Sequence, residues 1–147
     1  MDAKAAYFYV LNDPDSNFSE AEQIILASKD PKWLCLYAIK FMNTRWVDAE
    51  PFIRTHPKWA YLYARRVVFG RWVEAEPVLR GNVEWACLYS VFVGKRWREL
   101  EPAFYKLPKH GELYHERFFS GIPFPHNRVF YLGPYEVNDS DDLDTHI

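Results

Sequence analysis

The eight residues GRWVEAEP, Gly70 to Pro77, have close relatives on either side: TRWVDAEP from Thr44 to Pro51 and KRWRELEP from Lys95 to Pro102. Each phrase ends in proline, a residue that breaks helix interiors because it lacks an N–H and clashes with the preceding turn. The tryptophans inside the phrases, Trp46, Trp72 and Trp97, are separated by 26 and 25 residues. A second set, Trp33, Trp59 and Trp85, recurs at 26 and 26 and opens WLCLYA, WAYLYA and WACLYS. Self-similarity at such a period is the signature of a repeat architecture. Two degenerate copies flank the three good ones. FSEAEQ (18–23) stands in for WVDAEP, with YFYVL (7–11) for WLCLYA, and HGELYHERFF (110–119) keeps the Leu113–Tyr114 pair.

Each repeat reads as two helices. Asp30 and Asn82 precede two of the first helices and suit the N-cap, while Pro31 and Pro57 suit the first helical position. Counted from the first Trp as zero, apolar residues fall at 0, +3, +4 and +8, the helical period. Position +5 is Ala38, Ala64 or Ser90, small enough to let another helix approach. Gly70 and Gly94, with Asn43 in the same role, are the expected left-handed ends. The second helix is expected to start at the second Trp. A proline in the first turn is then harmless, because those N–H groups have no intrahelical partner. The alternative is a helix that starts at the proline itself and is barely one turn, since a residue before proline avoids the α region. In the longer version Ala75, Val78 and Leu79 face inward with Trp72, while Glu74, Glu76 and Arg80 face out. Two short helices cannot bury their own apolar stripe, and stacking of repeats does so. The fold expected is therefore all-α: a small α-solenoid of about four and a half two-helix repeats of ~26 residues, with a non-helical C-terminal tail. The expected organisation is a helical repeat domain over 1–120, with degenerate first and last repeats, followed by a Pro/aromatic segment and acidic tail over 121–147.

The segment WAYLYARRVVFGRWVEAEP (59–77) resembles the tandem W-A-x-L-Y-A / G-R-W-x-E-A-E-P repeats of many bacteriophage-encoded and some bacterial proteins, and the resemblance covers about residues 31–107. That family is defined by its repeat and carries over no catalytic residue. The resemblance implies a phage or phage-related origin and, with it, a host-cell cytoplasm. Lys95 departs from the pattern, because the third Arg-Trp arrives one residue early.

The 147 residues carry a net charge of −2 that hides an asymmetry: residues 1–30 sum to −4, 31–108 to +6, 109–135 to +1 and 136–147 to −5. Apolar runs are too short for a membrane span. The first residues lack the pattern of a secretory signal, and two cysteines make no disulfide framework; a cytoplasmic setting is the expectation.

Chemistry-bearing residues were weighed against plainer roles. His110 and His115 are five apart, which separates them by about 140° on a helix, whereas two ligands on one face want a spacing of four. Cys35 and Cys87 share position +2 and read as core. No phosphate-cradling glycine loop, nucleophile elbow or paired-carboxylate motif is present, so no catalytic residue, metal or cofactor is expected. The recurring Arg45, Arg71 and Arg96 either bond within their own repeat, to helix carbonyls or to the Glu of Glu-Pro, or form a basic edge widened by Arg65, Arg66 and Arg98. Such an edge meets an acidic protein surface or phosphates. Aromatic residues sit mostly at core-facing repeat positions. Residues 120–137 are expected to cap the last repeat, with Val129 to Leu132 extended; docking into a partner is the alternative. Residues 138–147 are expected to be mobile. The function expected is that of a non-enzymatic, protein-binding repeat protein, acting on a host protein by occlusion if phage-encoded. Inhibition of a host defence or metabolic enzyme is one concrete version. The alternative is nucleic-acid binding by the basic body with the acidic tail as counter-charge.

Overall fold

The computed structural model describes residues 1–125, which are helical throughout with no strand among them. The expected extended stretch at Val129–Leu132 and the expected mobile tail at 138–147 lie outside the described residues. The chain divides after Val78 into two units. The first holds α1 (Ala3–Asn12), α2 (Phe18–Ser28), α3 (Pro31–Phe41), the one-turn α4 (Glu50–Ile53) and α5 (Pro57–Tyr63), which runs on into a π turn over Ala64–Val68. The short α6 (Glu76–Arg80) leads across the boundary. The second unit holds α7 (Val83–Val93), the one-turn α8 (Glu101–Phe104) and α9 (Pro108–Phe119). In the first unit α3 packs against α1, α2, α4 and α5; in the second, α7 packs against α8 and α9.

The starts follow the expected capping chemistry. The Asp30 carboxylate accepts from the Lys32 N–H at 3.0 Å, and the Asn82 side chain accepts from the Trp85 N–H at 3.2 Å. Pro31 and Pro57 are the first residues of their helices. Asp2 and Asn17 cap α1 and α2 in the same way, at 2.8 and 3.1 Å.

The buried stripe of the first helices is turned from the one expected. Positions +1, +2, +4 and +5 are buried: Leu34, Cys35, Tyr37 and Ala38; Ala60, Tyr61, Tyr63 and Ala64; Ala86, Cys87, Tyr89 and Ser90. Trp33, Trp59 and Trp85 lie at its edge and are only half-buried. The Lys32 and Lys58 ammonium groups lie 4.8 Å from the ring centroids of Trp33 and Trp59, so one face of each ring is polar. The centre is instead built from the second tryptophans, Trp46, Trp72 and Trp97, which are 8%, 1% and 0% exposed.

The second helices take the shorter of the two readings. Each is a single turn or little more, with Pro51, Pro77 or Pro102 as its second residue. In two repeats a 3₁₀ turn precedes it, at Val73–Ala75 and Arg98–Leu100. Trp72 and Trp97 keep non-helical backbone angles (φ −124°, ψ 86° and φ −121°, ψ 78°), so the helix does not start at the Trp. Glu76, expected to face out, is 1% exposed.

The one-residue difference between repeats has a structural counterpart. Trp59 precedes Arg71 by 12 residues, and Trp85 precedes Arg96 by 11. α7 stops cleanly at Gly94 (φ 78°). The longer repeat passes through the π turn, the usual way to fit one extra residue into a helix, and stops at Phe69 (φ 59°). The left-handed residue is thus Phe69 and not Gly70. Asn43 is not a left-handed cap either, because α3 ends at an extended Met42.

At the far end, residues 120–125 fold back onto α9. Phe124 stacks on Tyr105 at 5.5 Å and meets His115 edge-on at 5.5 Å. The Ile122 carbonyl can only accept, so His115 carries its proton on Nε2 and donates at 2.6 Å, while Nδ1 accepts from the Tyr105 hydroxyl at 2.6 Å. This end is a cap as far as Pro125. α9 approaches α8 closely at Gly111, where a Cβ would come within 2.9 Å of the Phe104 carbonyl oxygen.

These depths set a ranking of stabilities. Trp97→Ala is expected to cost about 3–5 kcal/mol, as for other buried large aromatics, and Trp59→Ala clearly less. Urea unfolding of the two variants checks the order, and an equal loss would contradict the burial described.

Candidate functional site

The recurring polar residues converge on one network per repeat. Arg45 forks onto Glu50, Nε to Oε2 at 2.7 Å and Nη2 to Oε1 at 2.6 Å. Arg71 repeats the fork on Glu76 at 2.7 and 2.9 Å. Arg96 repeats it on Glu101, its Nη2 lying 2.6 and 3.0 Å from the two carboxylate oxygens. A tyrosine 18 residues after the arginine closes the network. The Tyr63 hydroxyl donates to Glu50 Oε2 at 2.7 Å and accepts from the Trp46 N–H at 2.7 Å. The Tyr114 hydroxyl accepts from the Trp97 N–H at 3.1 Å. In sequence, Tyr89 follows Arg71 by the same interval. The degenerate first repeat keeps the Tyr–Glu half, Tyr37 donating to Glu22 at 3.0 Å. Asn17, which stands where the others have Arg, caps a full-length α2 instead.

The three forks are graded by depth: the arginine side chains are 44%, 19% and 0% exposed along the chain. Arg96 also lies over the Phe119 ring at 4.7 Å. Burial pushes the Glu50 carboxyl up, but the hydrogen bonds from Arg45 and Tyr63 outweigh it and leave it below its ordinary value. Glu50 therefore contributes stability that is present above its unfolded value and lost as pH falls through the folded one. Burial raises the Tyr63 hydroxyl, and its bond to Glu50 raises it further. Burial, reinforced by the Glu101 charge, does the same to Tyr114.

The arginine ladder expected to form a basic edge is therefore turned inward at Arg71 and Arg96. The reading in which each arginine pairs with the Glu of Glu-Pro describes all three. Charge reversal at Arg96 is not cheap for folding, as a loop position would allow, because it would set two buried carboxylates side by side. Arg98 is half-buried. Arg65 is exposed and donates to the Tyr61 hydroxyl at 2.6 Å. Arg66 is exposed and forms no ion pair among the described residues. The cysteines tie neighbouring first helices together, Cys35 Sγ donating to the Trp59 carbonyl at 3.6 Å and Cys87 Sγ to the His110 carbonyl at 3.3 Å. Burial pushes both thiols up to about 12, which keeps them unreactive at neutral pH. Among the described residues no group of three His, Cys, Asp or Glu is placed to hold a metal ion.

One surface feature escaped the sequence reading. The π turn carries Arg66 and Val67 into a cleft of about 200 Å³ with Phe69, Ile39, Met42, Asn43 and Thr44. Phe69 is 78% exposed. The available signal was the longer interval between Trp59 and Arg71, which requires an inserted residue somewhere after Ala64.

Two measurements test the network. Arg96→Met is expected to cost about 3–5 kcal/mol, because it strands a buried carboxylate. Arg45→Met is expected to cost about 1 kcal/mol or less, as for exposed pairs; urea unfolding compares them. In alkali the unfolded chain loses tyrosine protons from about pH 10, while the folded chain holds those of Tyr37, Tyr63, Tyr105 and Tyr114. Stability then falls as pH rises above that point. The tyrosinate ultraviolet band of these four is expected to appear together with loss of helical circular dichroism, not before it. In comparisons with known proteins, no family model, no curated protein and no solved structure matches this chain.

Proposed function

We propose that this chain is a non-enzymatic, protein-binding α-solenoid of the W-A-x-L-Y-A / G-R-W-x-E-A-E-P kind. On this reading it is phage-encoded and acts in a host cytoplasm by occluding a host protein. The observation that carries the proposal is the inward closure of the repeated polar groups. Arg, Glu and Tyr recur because each repeat uses them to lock its own turn, which leaves binding to residues that differ between repeats. Phe69, Val47 and Val73 are such residues, apolar and exposed at 78%, 68% and 43%. Within each unit the first helices of successive repeats pack on one another, α1 on α3, α3 on α5 and α7 on α9, as stacked repeats do. No helix among the described residues is long and apolar enough to cross a membrane. The nucleic-acid alternative loses its strongest support, since the recurring arginines are engaged by carboxylates.

The test is paired. The immobilised chain, offered a bacterial lysate treated with nuclease, is expected to retain a protein saturably and in fixed stoichiometry. Offered DNA and RNA at physiological salt, it is expected to retard neither. Retardation that weakens steeply with added salt, as counterion release requires, would overturn the protein reading in favour of the nucleic-acid one.

A further inference from the structure

We infer that the cleft at the π turn receives an acidic peptide segment, inserting one apolar side chain between Phe69 and the end of α3 while an acidic neighbour pairs with Arg66. This rests on the protein-binding reading above and adds the chemistry of the partner.

Four observations converge. A bulky residue with φ 59° is costly, since left-handed backbone is ordinarily left to glycine, as at Gly94 in the next repeat. That backbone holds an aromatic ring in solvent: Phe69 is 78% exposed and meets no other ring among the described residues. Folding alone gains nothing from that placement. The π turn beneath it is a form that recurs at functional sites. The cleft volume of about 200 Å³ is below the roughly 300–1,000 Å³ of pockets that enclose a small molecule, so it suits a side chain rather than a metabolite. Its floor is apolar, from Ile39, Met42 and Val67, and its rim carries the exposed Arg66 next to Arg65. An aromatic anchor beside an arginine is the composition that dominates binding energy at protein interfaces. The charge of the rim selects an acidic segment over a basic one.

The test uses the full chain and three labelled ten-residue peptides, read by fluorescence anisotropy. One alternates Asp and Leu, one replaces each Asp by Asn, and one replaces each Leu by Ser. Only the first is expected to bind. Phe69→Ser and Arg66→Glu are each expected to weaken it about tenfold or more, a loss of about 1.4 kcal/mol, while Phe8→Ser on α1 leaves it unchanged. Equal binding of the Asp and Asn peptides, or binding that survives both cleft substitutions, overturns the inference. So does a rise in peptide affinity on removal of residues 138–147, or on dilution, which would assign the cleft to the chain's own acidic end or to a second copy. Failure here is separable from failure of the broader reading. A lysate protein still retained by the Phe69→Ser and Arg66→Glu variants leaves the chain a protein binder through another surface.

Discussion

The arginine–glutamate fork beneath each second tryptophan is the constraint on which the repeat depends. It closes over five residues, from Arg45 to Glu50, Arg71 to Glu76 and Arg96 to Glu101. Side chains that meet on a helix are three or four apart, so a fork at five requires a chain that is not yet helical at the tryptophan. The backbone at Trp72 and Trp97 supplies this. The freed N–H of Trp46 or Trp97 is then taken by a tyrosine hydroxyl from the first helix of the next repeat. One motif thus truncates its own second helix, buries the indole and ties one repeat to its successor.

That arrangement explains why charge sits at the centre of an aromatic core. A lone buried carboxylate is expensive, and a forked guanidinium with a hydroxyl donor offsets the cost. The deepest pair, Arg96–Glu101, is closed off by Phe119. The shallowest, Arg45–Glu50, keeps 44% of the arginine in contact with solvent. The same chemistry is therefore worth different amounts along the chain, according to what covers it. In the first repeat, where the arginine is missing, a capped helix of ordinary length takes the place of the short one.

With the recurring groups engaged internally, the surface is left to positions at which repeats differ. The π turn after α5 is one consequence of unequal repeat length, and it holds Phe69 outward where the next repeat has Gly94. An insertion of one residue has here become a shaped surface, because the packed ends of the repeat cannot move to absorb it and the helix between them must.

The amino-acid sequence alone determined the period, the two-element repeat, the caps at Asp30 and Asn82 and the prolines in the first turn. These are local effects, set by dihedral limits and by backbone groups that need partners within a few residues. Pairing of each arginine with the Glu of Glu-Pro was legible as one of two readings. Tertiary structure decided between them, because a guanidinium turns inward only where a pocket desolvates it. It also decided that Trp46, Trp72 and Trp97 are the core while Trp33, Trp59 and Trp85 are half-exposed, since periodicity gives a face and not a depth. Glu76 reads as a surface residue in any sequence, for charged side chains are seldom buried; only its fork with Arg71 makes its burial possible. The left-handed Phe69 was equally illegible. Glycine is the residue expected in that conformation, and Gly70 stood next to it.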